Sequence, residues 1–286
     1  MNRLKLLNLG CGSHFHPDWD NVDFVSAGPS VKTYNLLNGI PYPDNSYDVV
    51  YHSHVLEHFP KSKAKEFICE CYRVLKTGGV LRVAVPDLEK IASEYLKQLN
   101  DAVSGVGNAK ENYDWIMLEL YDQVVRNKSG GRMAAFIFNM DIKNPDYVYS
   151  RIGIEWKKIR EEYFNSVSEE KQHDKQNVSS GRNLIRFFKP STYFNFLKRK
   201  FFKKELKYFN RQNELLKMAN FRLSGEVHQW MYDRFSLKEL LNECGFKNIE
   251  VKTAFESRIE GWNNFCLDVV DGMIRKPDSL FIEAEK

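Results

Sequence analysis

The sequence predicts an α/β fold, a doubly wound and mostly parallel sheet interrupted by a helical insertion. Three observations predict it. Short apolar runs alternate with helical patterns through the first hundred or so residues, the first run stops at Gly10-Cys11-Gly12, and strand periodicity vanishes from about Leu88 to Gly225 before returning near the end. Strands that alternate with helical connections favour parallel pairing, because each crossover needs an element to cover the sheet.

Leu4-Lys5-Leu6-Leu7-Asn8-Leu9 reads as a buried strand; Asn21-Val22-Asp23-Phe24 and Val31-Lys32-Thr33-Tyr34-Asn35 read as two more. Pro43-Asp44-Asn45-Ser46 has turn chemistry and leads into the strand Tyr47-Asp48-Val49-Val50-Tyr51. Phe67, Ile68, Cys71, Tyr72 and Leu75 recur at helical spacing, so a helix runs from near Ser62 to Leu75 and closes at Thr77-Gly78-Gly79. Val80 to Val85 is a fifth strand, stopped by Pro86. Near the end, Ser236-Leu237-Lys238-Glu239 reads as a capping box opening a short helix that Gly245 terminates. Two strands follow, one within Phe246 to Phe255 and the other Leu280 to Ala284.

A chain of 286 residues accommodates one large α/β domain with an insertion, or two modest domains. The division expected is a ligand-binding core over 1–98, a helical insertion over 99–225 that roofs the site and selects the substrate, and closing elements over 226–286. A composition of 43% hydrophobic and 28% charged residues excludes a disordered or fibrous chain. No apolar run approaches the roughly 18–20 residues of a membrane helix. The first residues enter a strand directly, unlike a secretory signal. Five cysteines form an odd, scattered set that points to free thiols in a reducing compartment, hence the cytoplasm. The net charge of +4 and pI of 8.6 are only mildly basic, short of the pI above about 9 expected of a dedicated nucleic-acid-binding domain.

A strand that ends in Gly-x-Gly lets the backbone turn sharply and approach a ligand at the carboxyl edge of a parallel sheet. A dinucleotide fingerprint would need a third glycine and an acid roughly 20 residues on. Here Phe15 occupies the third position and Asp23 lies eleven residues beyond Gly12, which disfavours NAD. At the end of the second strand, Asp23 suits the hydroxyls of a nucleoside ribose instead.

Four stretches now carry a family resemblance: Leu6 to Gly12, Ile40 to Val50, His54-Val55-Leu56-Glu57-His58, and Arg73 to Leu81. In order and spacing the chain resembles the class I S-adenosylmethionine-dependent methyltransferases, in particular their type-11 group. The likeness runs over about residues 4 to 90, and Phe235 to Phe246 with the last strand is similar to the family's closing elements. The resemblance implies a seven-stranded Rossmann-like sheet and S-adenosylmethionine as cofactor. It also implies that Gly10, Cys11 and Gly12 pass under the methionine part, that Asp23 holds the ribose, that Asn35 and Leu36 meet the adenine, and that Ser53 and His54 lie near the sulfonium. Asn8 replaces the acid usual in the first motif, and Ser13-His14 replaces its last glycine. The first crossover is too short for a full helix, since a parallel crossover takes at least about ten to twelve residues including its helix. The back wall of the pocket is therefore expected to be irregular.

His54-Val55-Leu56-Glu57-His58 also matches the inverted zinc-protease pattern, but it directly follows a strand and Pro60 stops any long helix. It is similar too to metal-dependent O-methyltransferases that carry Glu-x-x-Glu-His at this position, with His54 in place of the first Glu. A divalent ion there would polarise an acceptor hydroxyl; the commoner arrangement has Glu57 and His58 orienting the loop and His54 lining the pocket. Methyl transfer to a hydroxyl or amine needs a proton acceptor, and histidine is the default one. His54 and His58 come first by position, with His228 as the alternative beside Tyr232 and Asp233; His14, His16, His52 and His173 are background.

Within the insertion, Trp115, Leu118 and Tyr121 read as its own core. Lys200, Lys203, Lys204, Lys207 and Arg211 share one helical face, with Phe194, Phe201, Phe202 and Phe209 largely on the other. Such a helix near 194–211 either packs its aromatic face inward or meets an anionic membrane surface or RNA. The expectation is an O-methyltransferase acting on a small molecule or a surface-glycan precursor, cytoplasmic or peripheral to the membrane. Two alternatives stay open: an RNA methyltransferase, supported only by the basic helix, and a non-catalytic scaffold of the same fold, suggested by Asn8 and Ser13-His14.

Overall fold

The computed structural model describes residues 4–161, 163–165 and 210–286. Of the basic amphipathic helix anticipated near 194–211, all but Asn210 and Arg211, both exposed, lies outside the described residues.

Strands β1 (Leu6–Leu9), β2 (Asp20–Asp23) and β3 (Val31–Thr33) run outward on one side, and β4 (Tyr47–Ser53) and β5 (Leu75–Pro86) extend the sheet on the other. The first five strands pair in parallel. Near the C-terminus come β6 (Lys247–Lys252), a small hairpin of β7 (Val269–Val270) and β8 (Met273–Ile274), and β9 (Ser279–Glu285). The sheet order is β3-β2-β1-β4-β5-β9-β6, with β9 antiparallel to both its neighbours. This is the doubly wound seven-stranded arrangement anticipated, and the winding reverses between β1 and β4. Ligands of open α/β sheets bind in the crevice that this reversal opens.

Residues on the two sides of the sheet alternate, as the strand repeat requires. Leu7, Leu9, Val22, Val50, Leu81, Val83 and Ile282 pack in one core with α1 (Lys61–Val74) and α6 (Arg234–Glu243), through Phe67, Ile68, Cys71, Leu237 and Leu241. The other side of β1 and β4 presents Leu6, Val49 and Tyr51. No helix lies between β1 and β2, so two loops cover this side instead. Trp19 of the first crossover meets Trp262 and Phe265 of the β6–β7 connection edge to face, with ring centroids 6.1 and 5.2 Å apart. The short crossover read from the sequence thus has a structural consequence: aromatic loop residues replace a missing helix.

The connection is also tied down by charge. Arg82 of β5 is fully buried and donates to Asp268 (2.8 Å), Glu283 (2.7 Å) and the carbonyls of Thr253, Ala254 and Glu256. Tyr51 Oη donates to the other oxygen of Asp268 at 2.5 Å.

The described part of the segment between β5 and α6 is mainly helical: α2 (Leu88–Val103), α3 (Ala109–Val125), α4 (Gly131–Ile137) and α5 (Pro145–Ile152), with further helical residues at 155–161, 163–165 and 210–223. Trp115, Met133, Ile137, Val148 and Trp156 form its core, with Leu118 packed against them. Tyr121 does not belong to that core; it is 54% exposed, because it falls on the solvent side of α3. None of the described helices is long and apolar enough to cross a membrane.

Two boundaries differ from the sequence reading. The N-cap of α6 lies three residues before Ser236: Asp233 accepts from the backbone N–H groups of Phe235 and Ser236, and Ser236 Oγ accepts from the backbone N–H of Asp233. An ionised carboxylate at the N-cap satisfies two orphan donors and opposes the helix dipole, so the earlier residue takes the position. Thr77-Gly78-Gly79 does not simply end α1; it lies in β5, where Tyr47 pairs with Leu75 but Val49 pairs with Val80, so these residues bulge out of register.

Candidate active site

A cavity of about 230 Å³ opens at the reversal between β1 and β4. The sequence-expected residues Gly10, Cys11, Gly12, Ser53 and His54 line it, joined by Asn8, Ser13, Tyr51 and three residues that sequence reasoning did not assign: His14, Arg275 and Lys276. A ligand pocket for a drug-sized molecule spans roughly 300–1,000 Å³, so the cavity encloses part of such a ligand and leaves the rest at its mouth.

Both glycines adopt left-handed backbone, with φ of +63° at Gly10 and +56° at Gly12, which a side chain would strain. A Cβ on Gly10 would lie 2.3 Å from Val55 Cγ2, so this glycine lets the turn pack on the next loop. A Cβ on Gly12 would meet nothing within 4 Å. That open cradle is what a ligand backed by bare main chain requires. At the back wall, Asn8 is buried and donates to Asn21 Oδ1 at 3.1 Å, so a neutral amide pair occupies the place of the expected acid.

Asp23, at the end of β2, accepts from the backbone N–H of Gly12 at 2.7 Å through one oxygen and from that of Val25 at 3.1 Å through the other. It stands beside the glycine turn and braces it. Asn35 accepts from Leu37 N and caps the 3₁₀ turn Leu36–Asn38. Leu36 lines a separate cavity of about 580 Å³ with Phe59, Phe67 and Glu70.

The turn after β4 gathers the titratable side chains His54, Glu57 and His58. His54 has φ of +56°, an uncommon backbone state for a non-glycine residue and one that collects at functional sites. Its backbone N–H donates to Ala84 O, its Nε2 lies 2.8 Å from Ser279 Oγ, and its Nδ1 lies 3.4 Å from Glu57 Oε1. The following 3₁₀ turn, Leu56–His58, drives Glu57 inward to complete burial. Residues 226–232 then run alongside, because Gln229 and Trp230 both donate to Glu57 O. His228 is thereby brought 3.9 Å from Glu57 Oε1 and edge to face with His58, centroids 4.7 Å apart. The three histidines singled out by sequence converge, but only His54 lines the cavity.

Burial holds all three neutral. It pushes His54 and His228 well below the usual histidine range and His58 down to about 4. Burial also pushes Glu57 up to about 8, so its carboxyl keeps its proton at neutral pH in the protein alone. On the cavity wall, Arg275 is paired with Glu155 at 2.8 Å. Lys276 makes no side-chain hydrogen bond or ion pair among the described residues, and burial lowers its pKa. The signal that could have found these cations is slight: a basic pair immediately before the last strand. His14, set aside as background, lines the cavity and has Nε2 2.6 Å from Cys266 O.

Comparison with known proteins meets this geometry. Residues 26–83 match the family model described as a methyltransferase domain. A probable methyltransferase of Aspergillus luteorubrus is 42% identical over 66 residues, 22% of this chain and 23% of that protein. A probable S-adenosylmethionine-dependent methyltransferase of Mycolicibacterium smegmatis is 44% identical over 99 residues, 29% of this chain and 38% of that protein. The chain therefore aligns with less than half the length of either relative. Among solved structures, a SAM-dependent methyltransferase of Thermotoga maritima aligns over 100% of this chain and 84% of its own, with 11% identity and a TM-score of 0.41.

Proposed function

We propose, for a chain whose sheet order and matched domain are those of the class I S-adenosylmethionine-dependent methyltransferases, that the cavity at the β1–β4 reversal binds S-adenosylmethionine and that the protein methylates a hydroxyl of a small molecule or surface-glycan precursor. The observation that carries the reading is the Gly10–Gly12 turn: two left-handed glycines at the strand reversal, one packed on Val55 and the other open to the cavity.

The cofactor supplies an electrophilic methyl group; the chain supplies a place and an orientation for it. Gly12 leaves room for the methionine part, and Lys276 offers a cation to its carboxylate. Asp23 braces the turn while keeping carboxylate lone pairs for ribose hydroxyls. The displacement is in-line, so alignment dominates, and holding two reacting groups in a productive geometry is worth about 7–11 kcal/mol. Ser53 and His54 form the wall at the end of β4 where the acceptor would approach. His54 is neutral and is the histidine of the three nearest the acceptor, but burial makes it a weak base, so alignment carries most of the acceleration in this reading. His58 and His228 stand behind it, outside the cavity lining, and take no direct part in this step. The helical segment after β5 is the acceptor-selecting roof in this reading.

Calorimetric titration with S-adenosylmethionine and S-adenosylhomocysteine tests the cofactor assignment. Wild type should bind both, and Asp23→Ala should bind at least tenfold more weakly, since hydrogen bonds to a charged group contribute about 1.5–3 kcal/mol. Absence of heat from folded wild type would refute cofactor binding. A screen of hydroxylated small molecules, glycan precursors and RNA then decides the acceptor.

A further inference from the structure

Among the described residues, Glu57 is a buried acid left without a hydrogen-bond partner. It is fully buried, and neither carboxylate oxygen has a hydrogen-bond partner among the described residues. Ionised, it is an uncompensated buried charge; protonated, it buries a hydroxyl with no acceptor. Either state costs free energy unless something occupies the space beside it. The neighbours are not carboxyl partners by geometry: His54 Nδ1 at 3.4 Å makes no hydrogen bond, and His228 Nε2 stands at 3.9 Å. Lys276 and Arg126 bring positive charge to the surroundings, balanced in part by Asp278, but no Lys or Arg among the described residues reaches within 4 Å of Glu57. His58 adds a second orphan, its buried Nδ1.

We propose that Glu57, His58 and His228 form a site for a divalent first-row transition ion of the zinc type. One donor atom from each lies within 4.8 Å of the other two. For three atoms no more than 4.8 Å apart, some point lies within about 2.8 Å of all of them, while bonds to imidazole and carboxylate run about 2.0–2.2 Å. Closing the site needs each donor to move inward by well under 1 Å, within the reach of side-chain rotation. Two imidazoles and one carboxylate suit zinc and its neighbours rather than magnesium or calcium, which take oxygen ligands.

The outer groups fit the same role. The backbone carbonyls of Val227 and Gly225 bear on the His58 ring, the kind of second contact that fixes the orientation of a metal-binding histidine. Three protein ligands leave a coordination position open. The turn that carries Glu57 and His58 continues directly from His54 on the cavity wall. The ion-binding claim is independent of the methyl-transfer reading. Its consequence, that an acceptor oxygen could take the open position, rests on that reading.

The test uses the full chain, stripped with a chelator and titrated with Zn²⁺ by calorimetry and with Co²⁺ by visible absorption, without cofactor. Wild type should bind one ion per chain, and the Co²⁺ spectrum should show imidazole-carboxylate coordination. His58→Ala and His228→Ala should each weaken binding at least tenfold, and the exposed control Glu260→Gln should not. If the alanine variants fail to fold, His58→Gln and His228→Gln keep the polar bulk. Zn²⁺ should then raise the thermal midpoint of wild type but not of these variants. Folded wild type that takes up no ion, or variants that bind as tightly as wild type, would overturn the site. Cofactor binding is read separately, so loss of one does not stand for loss of the other.

Discussion

Alanine at Gly10 and alanine at Gly12 should do opposite kinds of damage, although the two glycines share the same turn. Both occupy left-handed backbone, so any side chain costs about 1–2 kcal/mol at either. At Gly10 the new methyl also lies 2.3 Å from Val55 Cγ2 and 3.3 Å from Cγ1, deep in the packed turn. Overpacking of that kind adds about 1–3 kcal/mol, for a total of about 2–5 kcal/mol. At Gly12 there is nothing to hit within 4 Å, and only the backbone cost of about 1–2 kcal/mol remains. Under the proposed function, the Gly12 methyl instead takes up cavity space that the cofactor would fill. Urea unfolding and calorimetry with S-adenosylhomocysteine separate the two effects. Gly10→Ala should be the less stable protein, and adding Val55→Ala should recover at least about 1 kcal/mol as a coupling in the double-mutant cycle. Gly12→Ala should fold well and bind the ligand at least tenfold more weakly. Undiminished binding by Gly12→Ala, or equal stability of the two single variants, would refute the reasoning.

Arg82→Met should cost about 3–5 kcal/mol in urea unfolding, because Asp268 and Glu283 stay buried without their cation; a loss below about 1 kcal/mol would contradict the ion-pair account. The same variant should loosen the β6–β7 connection at Asp268, to which Arg275 of the cavity wall hydrogen-bonds, and so weaken S-adenosylhomocysteine binding. His52 is fully buried against Phe67, with both ring nitrogens unpartnered among the described residues, and burial pushes it down to about 3. A histidine depressed in the folded state contributes stability that is present above its unfolded value near 6.5 and is lost as pH falls through the folded value. His52→Phe should remove that part of the acid sensitivity, on the order of several kcal/mol between about pH 6.5 and 3. Parallel pH–stability curves for the two proteins would rule it out.

The parts of this molecule that could be read from sequence are those whose causes lie within a few residues. Buried parallel strands are apolar on both faces, so Leu6–Leu9 and Val80–Val85 announce themselves as runs. The glycine turn follows the first of them directly, and the spacing to Asp20–Asp23 is too short for a helix, which the structure bears out. Even the misplaced cap of α6 is a local ambiguity: Asp233 and Ser236 are both good caps three residues apart, and the charged one wins. The illegible parts depend on chain segments brought from afar. Tyr121 has the residue type of a core position but the wrong side of its helix. Arg275 and Lys276, between β8 and β9, reach the cavity from far along the chain; Arg275 is held there by its backbone N–H donating to Asp268 O and its Nε donating to Leu267 O, at the end of the β6–β7 connection that Arg82 anchors through Asp268. His54, Glu57 and His58 are spelled out in one turn. What makes that turn a cluster is His228, delivered by two backbone hydrogen bonds to Glu57 O that no spacing rule could announce. The local motif sets which chemistry is available, and the distant segment 226–232 decides whether the buried carboxyl has company. A change that unhooks residues 226–232 should therefore disturb the cluster without touching any residue of the motif itself.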